Sequence, residues 1–594
     1  MPRNTNKIFQ FWQELKRRRV IHVITVYASA AFVIVELFNN LAEPLNLPTN
    51  LSTIVIILLA IGFPLVIILS WLYDLTSKGV EKTKPLSEIS EEGGPYVPNA
   101  WKIATFVSFV VILGLVTFNI ASSSKQLRAG DIQSLVVLPF DNYTGDEQLE
   151  NMVSGMHALL VGDMGRIGEV RVLGGTTSNA FKDADMTATE IASELNVDAV
   201  VEASVMCFGD SVCIQFRLVR TTGKETQLWI ADFKEDKSQM LNLNNLITKE
   251  IADKIKIELS PNEERLLAKS RKVNQEAYDN YVQSFLYWND LSQESLNKAL
   301  EYLNLAVEED PDFAPLYAGL ATVWVGLAQM GYAKPEVAGP KIFENLNKAL
   351  ELAPDFSTSR FINAGIAVWT EWDWEKGERE FLKALELNPN DVMCRIYYAH
   401  LLMILRRYDE ALFHSQMAYE LDPMNPKILA LSAMVDYLGS HQQSLEKSIK
   451  ALEINPNERL ALASFHYSSF LNGDYENSIK TLLKIRHELN KEAREVIMSE
   501  FKEKGYTAAI ETMIIFLEEY ARTNYMQPVA MAEYYYSVGD LEKAIEYYAE
   551  AYELNDPMLP YFTLQPGYGF DDIKDDPRII SIVEKMNFPS SVFD

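Results

Sequence analysis

Glu386-Leu387-Asn388-Pro389, Glu420-Leu421-Asp422-Pro423 and Glu453-Ile454-Asn455-Pro456 repeat one short phrase, with prolines 34 and 33 residues apart. Looser copies stand at Val307-Glu308-Glu309-Asp310-Pro311, Glu351-Leu352-Ala353-Pro354 and Glu553-Leu554-Asn555-Asp556-Pro557. Proline lacks an amide proton and its ring clashes with the turn before it, so each copy closes a helix. A period near 34 marks a helix pair that cannot bury its apolar face alone and stacks on its neighbours. Small residues recur where helices must approach closely, at Gly365, Gly377, Ala384, Ala399, Ala411, Ala418, Ala544 and Ala551, with Phe381 and Tyr548 as large fillers between them. Eight repeats fit, starting near residues 280, 314, 358, 392, 425, 459, 493 and 525.

The period and the placing of small and large residues resemble the tetratricopeptide repeat. That resemblance implies a solenoid over 275–557, closed by a cap at 558–594, with the first helix of each pair lining a concave face. On this face it places Ile362, Ile366, Trp369, Ile396, His400, Met403, Tyr437, Tyr467, Phe470, Val529 and Tyr536. None is cationic, so the expected partner is an apolar or aromatic protein segment or peptide. Trp369, Trp372 and Trp374 form a cluster that reads as core packing rather than a binding box.

The chain has 594 residues, enough for several domains, and a formal net charge of -28. The first 130 residues carry an excess of Lys and Arg, so the remainder is strongly acidic and repels phosphate backbones. Nucleic acid is not an expected partner. Segment 1–19 joins Phe9, Phe11, Trp12 and Leu15 to Lys16-Arg17-Arg18-Arg19, an amphipathic and basic pattern suited to a cytoplasmic membrane surface. Region 20–121 holds three apolar runs, 20–38, 51–73 and 103–121, each near the ~20 residues that span a bilayer core. The distribution of Lys and Arg around them predicts three transmembrane helices in a bacterial inner membrane, the N-terminus cytoplasmic and residues 122–594 periplasmic.

Within 133–261, short apolar runs alternate with helical patterns. Leu135 to Phe140, Val170 to Leu173, Ala199 to Cys207, Val212 to Arg220 and Leu228 to Lys234 read as strands. Helices are expected over Glu147 to Arg166, Thr187 to Leu195, with Thr187 and Glu190 forming a capping box, and Leu246 to Leu259. The fold class is therefore multidomain and mainly α, with a small α/β domain between membrane region and solenoid. The segments Ser134 to Phe140, Thr177 to Lys182, Ala188 to Leu195 and Val200 to Val205 resemble the domain shared by the N-terminal part of TolB and the flagellar protein FlgO. Phe313 to Ala321, Trp372 to Phe381 and Phe570 to Pro577 extend the likeness to bacterial membrane proteins in which that domain precedes tetratricopeptide repeats. Their relatives are fused to adenylate cyclase domains or winged-helix regulators, whereas no such output domain is visible here.

Chemistry-bearing motifs are scarce. The sequence has no Walker loop, Gly-x-Ser-x-Gly elbow or His-Glu-x-x-His, and its seven histidines form no i, i+4 pair. Gly162, Gly165 and Gly168 are spaced by three outside any dinucleotide pattern and read as easing the exit from a helix. No catalytic residue, cofactor or metal is expected. Cys207 and Cys213 flank a Gly209-Asp210 turn. A two-residue loop would put them on opposite faces of the hairpin, and a three- or five-residue loop on one face, where a disulfide could form. The expected function is a non-enzymatic, membrane-anchored periplasmic scaffold binding protein or peptide partners. The alternative is a sensor whose α/β domain binds a small ligand and signals through the spans.

Overall fold

The computed structural model describes residues 11–12, 15–16, 20–42, 50–76, 79–82 and 130–592, with breaks at 209–210, 223–224, 270, 289–290, 438, 565–569 and 590–591. They fall in two compact units, Met1–Gln126 and Leu127–Asp594. In the first, helices α1 (Val20–Ala42) and α2 (Asn50–Leu72) lead into an antiparallel hairpin of β1 (Tyr73–Thr76) and β2 (Gly79–Lys82). Tyr27 joins the helices, its hydroxyl donating to the Leu59 carbonyl at 2.8 Å and its ring 5.7 Å from Phe63.

The expectation of three transmembrane helices is overturned here. Among the described residues, no helix is long and apolar enough to cross a membrane. In α1 the apolar run is broken by Thr25 and Ser29, which donate to carbonyls one turn back at 2.9 and 2.8 Å, and by Tyr27, committed to α2. Pro64 lies inside α2, where it withholds one backbone donor. The inner-membrane placement, the periplasmic side assigned to 122–594 and the lipid bilayer as partner fall with the spans. The third run, 103–121, lies outside the described residues.

The second unit opens with a sheet in the order β5-β3-β6-β7-β8, with β4 paired to β6. Its strands are β3 (Ser134–Val137), β4 (Asp141–Asn142), β5 (Arg171–Val172), β6 (Ala199–Phe208), β7 (Ser211–Arg220) and β8 (Thr226–Asp236). β3, β4 and β5 join their neighbours in parallel, and β6, β7 and β8 form an antiparallel meander. β3 is covered on both faces, which is why Leu135-Val136-Val137 is continuously apolar. β7 alternates, burying Val212, Ile214, Phe216 and Leu218. The register pairs Phe208 with Val212 and Cys207 with Cys213, leaving three residues in the loop and a shift beside Met206. The two cysteines thus share a face and are joined by a disulfide, Cα to Cα 4.8 Å.

Helices α3 (Glu150–Met164), α4 (Gly175–Asn179), α5 (Ala188–Leu195), α6 (Met240–Lys254) and α7 (Pro261–Leu267) complete this part. Thr187 and Glu190 make the reciprocal capping box at α5. The closing helix expected over Leu246 to Leu259 starts earlier, at Met240, and ends at Lys254, and beyond it Ser260 and Glu263 form a second capping box that starts the separate helix α7.

Eight helix pairs follow: α8 (Gln275–Trp288) with α9 (Gln293–Glu309), α10 (Ala314–Gln329) with α11 (Pro335–Leu352), α12 (Ser357–Ile366) with α13 (Trp374–Leu387), and α14 (Val392–Ile404) with α15 (Tyr408–Leu421). The last four are α16 (Pro426–Asp436) with α17 (His441–Ile454), α18 (Arg459–Leu471) with α19 (Tyr475–Ile485), α20 (Lys491–Lys504) with α21 (Tyr506–Ala521), and α22 (Pro528–Ser537) with α23 (Leu541–Glu553). Side chains of Asp373, Asp391, Asn425, Ser440, Asp474, Asn490 and Asp540 cap helix N-termini and so fix the turns. Ala364, Ala384, Ala399, Ala411 and Ala418 are fully buried at the close approaches. Tyr332, between α10 and α11, reaches across to the sixth pair. It accepts from Arg459 Nη1 at 3.1 Å, and its ring lies 5.9 Å from that of His487.

The α/β part and the solenoid share one hydrophobic core, running from Ile132 through Val282 to Leu327. Successive repeat turns also grip the segment before them. Asp310 accepts from Arg271 at 2.5 Å and from the Asn274 amide at 3.1 Å, and Asp355 from Arg265 at 2.6 Å and Lys269 at 3.2 Å. Asn390 Nδ2 faces the carbonyls of Gly165, Ile167 and Val170 at 3.0–3.1 Å, while its Oδ1 accepts from the Val172 amide at 3.2 Å. Asp422 accepts from the amide and hydroxyl of Thr177 at 2.8 and 2.6 Å, and Gly174 donates to Leu421 O at 2.7 Å. The closeness at Gly174 requires glycine, since a Cβ there would lie 2.5 Å from Asp422 Cγ and 2.9 Å from its Cβ, whereas a Cβ on Gly165 would displace the Asn388 side-chain oxygen, 2.7 Å away. Burial pushes the Asp422 carboxyl up, against the opposing pull of its Thr177 and Asn425 donors. Asp422→Ala strands those donors and is expected to lower the unfolding free energy by about 3 kcal/mol, read by urea denaturation.

Candidate partner-binding groove

The residues expected on the concave face do not form one open surface. Ile362, Ile366, Trp369, Ile396, His400, Met403 and Val529 are buried, and Tyr437, Tyr467, Phe470 and Tyr536 are half-buried. Trp369 and His400 are covered by a 3-10 turn, Leu559–Thr563, all five of whose residues are buried. Asp556 starts it, accepting from the amides of Val529 at 3.1 Å and Met558 at 2.9 Å, and burial pushes its carboxyl up to about 6.

Tyr561 is the centre of this plug. Its ring stacks on Trp369 at 6.5 Å, and its hydroxyl lies 3.2 Å from Trp369 Nε1 and 3.1 Å from His400 Nδ1. His400 Nε2 is 3.1 Å from the Leu431 carbonyl, which can only accept, so Nε2 carries the proton and Nδ1 is the acceptor. The hydrogen bonds therefore run from Trp369 to Tyr561, from Tyr561 to His400 and from His400 to Leu431. Burial lowers His400 to about 4, and His157 and His466 likewise.

Two hollows flank the plug. One, of about 310 Å3, has Trp288, Phe361, Ile362, Ile366, Trp369, Tyr397 and Leu460 in its wall, with Asp391 and Lys427. The other, of about 190 Å3, is lined by Met403, Tyr437, Tyr467, Val529 and Tyr561 among others. Ile396 is sealed in the core. Phe470 packs on Tyr475 and Tyr506, and Tyr536 bonds Asp572, so neither belongs to either hollow. Trp372 stacks on Tyr552 at 5.1 Å, and Trp374 on Phe588 at 4.7 Å while donating to Met586 O at 3.0 Å. Tyr561 is not among the residues that repeat position places on the concave face. Its signal was the aromatic pair Tyr561-Phe562, placed directly after the last repeat where a polar linker would be usual.

The tetratricopeptide-repeat family matches residues 380–413 and again 529–557. The chain thus carries tetratricopeptide repeats in a mainly helical solenoid. A curated relative, putative adenylate cyclase 3 of Rhizobium meliloti (strain 1021), is 27% identical over 228 residues, 37% of this chain and 37% of the relative's length. Among solved structures, YrrB, described as a tetratricopeptide-repeat protein with an unusual peptide-binding site, is 23% identical, covering 32% of this chain and 93% of its own, TM-score 0.21. PilF of Pseudomonas aeruginosa is 18% identical over 41% of this chain and 94% of its own, TM-score 0.24. Human IFIT1, solved as a dimer with m7Gppp-AAAA, is 14% identical over 52% and 77%, TM-score 0.33.

The neutral histidines give a pH dependence with a definite sign. Each folded pKa lies below the ordinary value near 6.5, so the stabilisation is complete above about 6.5 and is lost as pH falls toward 4. His400 alone is expected to account for about 2 kcal/mol of the stability lost between pH 7 and pH 5. Urea titrations at the two pH values should show that share disappear in His400→Gln, while the shares of His157 and His466 persist.

Proposed function

We propose that the chain is a protein-binding scaffold whose solenoid takes up an apolar or aromatic segment of a partner, and that it acts by binding rather than by catalysis. The observation carrying this reading is the hollow of about 310 Å3 beside Trp369, walled by aromatic and aliphatic side chains from the first helices of successive repeats. The neighbouring Tyr561 supplies an internal example of what such a wall holds, a ring stacked on Trp369 with its hydroxyl bonded. Each apolar side chain seated there contributes ~1.5 to 3 kcal/mol before ordering costs. The adenylate cyclase relative shares only 37% of its length with this chain, so its named activity is not carried over. The α/β part is proposed to be of the TolB N-terminal and FlgO kind, on the likeness of Thr177 to Lys182, the segment whose first residue Asp422 holds.

Thr322→Trp should fill the hollow without disturbing the core. A photo-crosslinking residue at Thr358, in the same wall, is expected to give a discrete protein adduct that Thr322→Trp removes while the melting temperature holds. Adducts that persist in the folded Thr322→Trp protein refute the reading.

A further inference from the structure

The smaller hollow differs in kind from the one beside Trp369. It holds about 190 Å3, and Met403, Met434, Leu482, Ile485 and Val529 make it largely apolar. Tyr561 and Leu564 stand in its wall, on the plug that separates it from Trp369. Two donors in the same wall, Arg486 Nε and Gln527 Nε2, are buried without a hydrogen-bond partner. Gln527 occupies the N-cap position of α22, yet its side chain makes no cap bond there. Buried donors are rarely left unpaired, and two in one cavity wall mark the place of an acceptor.

The charge of Arg486 is already answered. Its Nη1 lies 3.4 Å from Glu488 Oε1, its guanidinium sits 5.4 Å from the Tyr534 ring centre, and Glu533 shares the cavity wall. A carboxylate entering here would meet Glu533 and find no spare positive charge, so the fitting acceptor is uncharged. The volume is comparable with the roughly 150 Å3 apolar cavity that binds benzene, enough for one ring and a short substituent. A peptide would have to continue past the space, and Tyr561 fills the side toward Trp369.

We propose that this cavity is a binding site for a small neutral carbonyl compound, an amide or ketone on an aromatic or short aliphatic body, whose oxygen accepts from Gln527 Nε2 and Arg486 Nε. The site goes beyond the scaffold reading, uses other residues, and stands or falls separately from it. The test is calorimetric titration of the full-length chain with phenylacetamide, its anionic counterpart phenylacetate, and ethylbenzene, which lacks an acceptor. Phenylacetamide is expected to bind saturably, with both others at least about tenfold weaker. Gln527→Met keeps the side-chain length and removes the donor, and should weaken phenylacetamide about five- to tenfold. Ala463→Phe fills the cavity and should abolish binding with the melting temperature retained, which keeps the test decisive if Gln527→Met does not fold. Absence of saturable phenylacetamide binding, equal binding of phenylacetate or ethylbenzene, indifference to Gln527→Met, or binding that survives Ala463→Phe would each overturn the proposal.

Discussion

Every repeat must stop its second helix before the chain can return, and in this protein the stopping turn also holds the rest of the molecule. Proline ends the helix, and the acidic or amide side chain beside it is left at the edge of the stack with unused acceptors. Asp310 and Asp355 spend those acceptors on residues 265–274, and Asn390 and Asp422 on residues 165–177. One row of turns therefore sets both the pitch of the solenoid and the seat of the sheet. Gly174 belongs to the same constraint, since the turn at Asp422 approaches the backbone too closely for a side chain.

Inside the stack a second economy operates. The concave face of a repeat solenoid is apolar because the first helices pack there, and such a face left bare is a liability in water. Here the chain covers part of it with its own Leu559–Thr563 turn. The tie at Tyr561 is polar but complete, every group from Trp369 to Leu431 having one donor or acceptor to match. A fully satisfied network in a low-dielectric interior fixes a single arrangement, which is why the hollows on either side remain distinct.

The repeat was legible because its signal is local: a proline, a small residue and a filler each do their work within one helix pair. The eight starts read from the sequence fall at or beside the first helices of the eight pairs, and the Thr187 capping box was equally readable because both partners lie within one turn. What escaped depends on residues far apart in the chain. Nothing near Asn390 announces that its amide will face three carbonyls more than two hundred residues earlier. Gly165 reads locally as a helix exit, and its second duty appears only when Asn388 is seen against it. Repeat position places side chains on a face without saying what lies over that face. The apolar runs at 20–38 and 51–73 were read from hydropathy, which does not register that Tyr27 is spent on Leu59.

The reach of Tyr332 to Arg459 and His487 changes what sort of object the solenoid is. An open stack of repeats behaves as a spring, each coil coupled only to the next, and it can fray from an end while the middle stands. A strut from the second pair to the sixth turns that span into a hoop. Loosening a pair inside it works against the strut as well as against the neighbouring coils, a coupling between distant repeats that an open stack lacks.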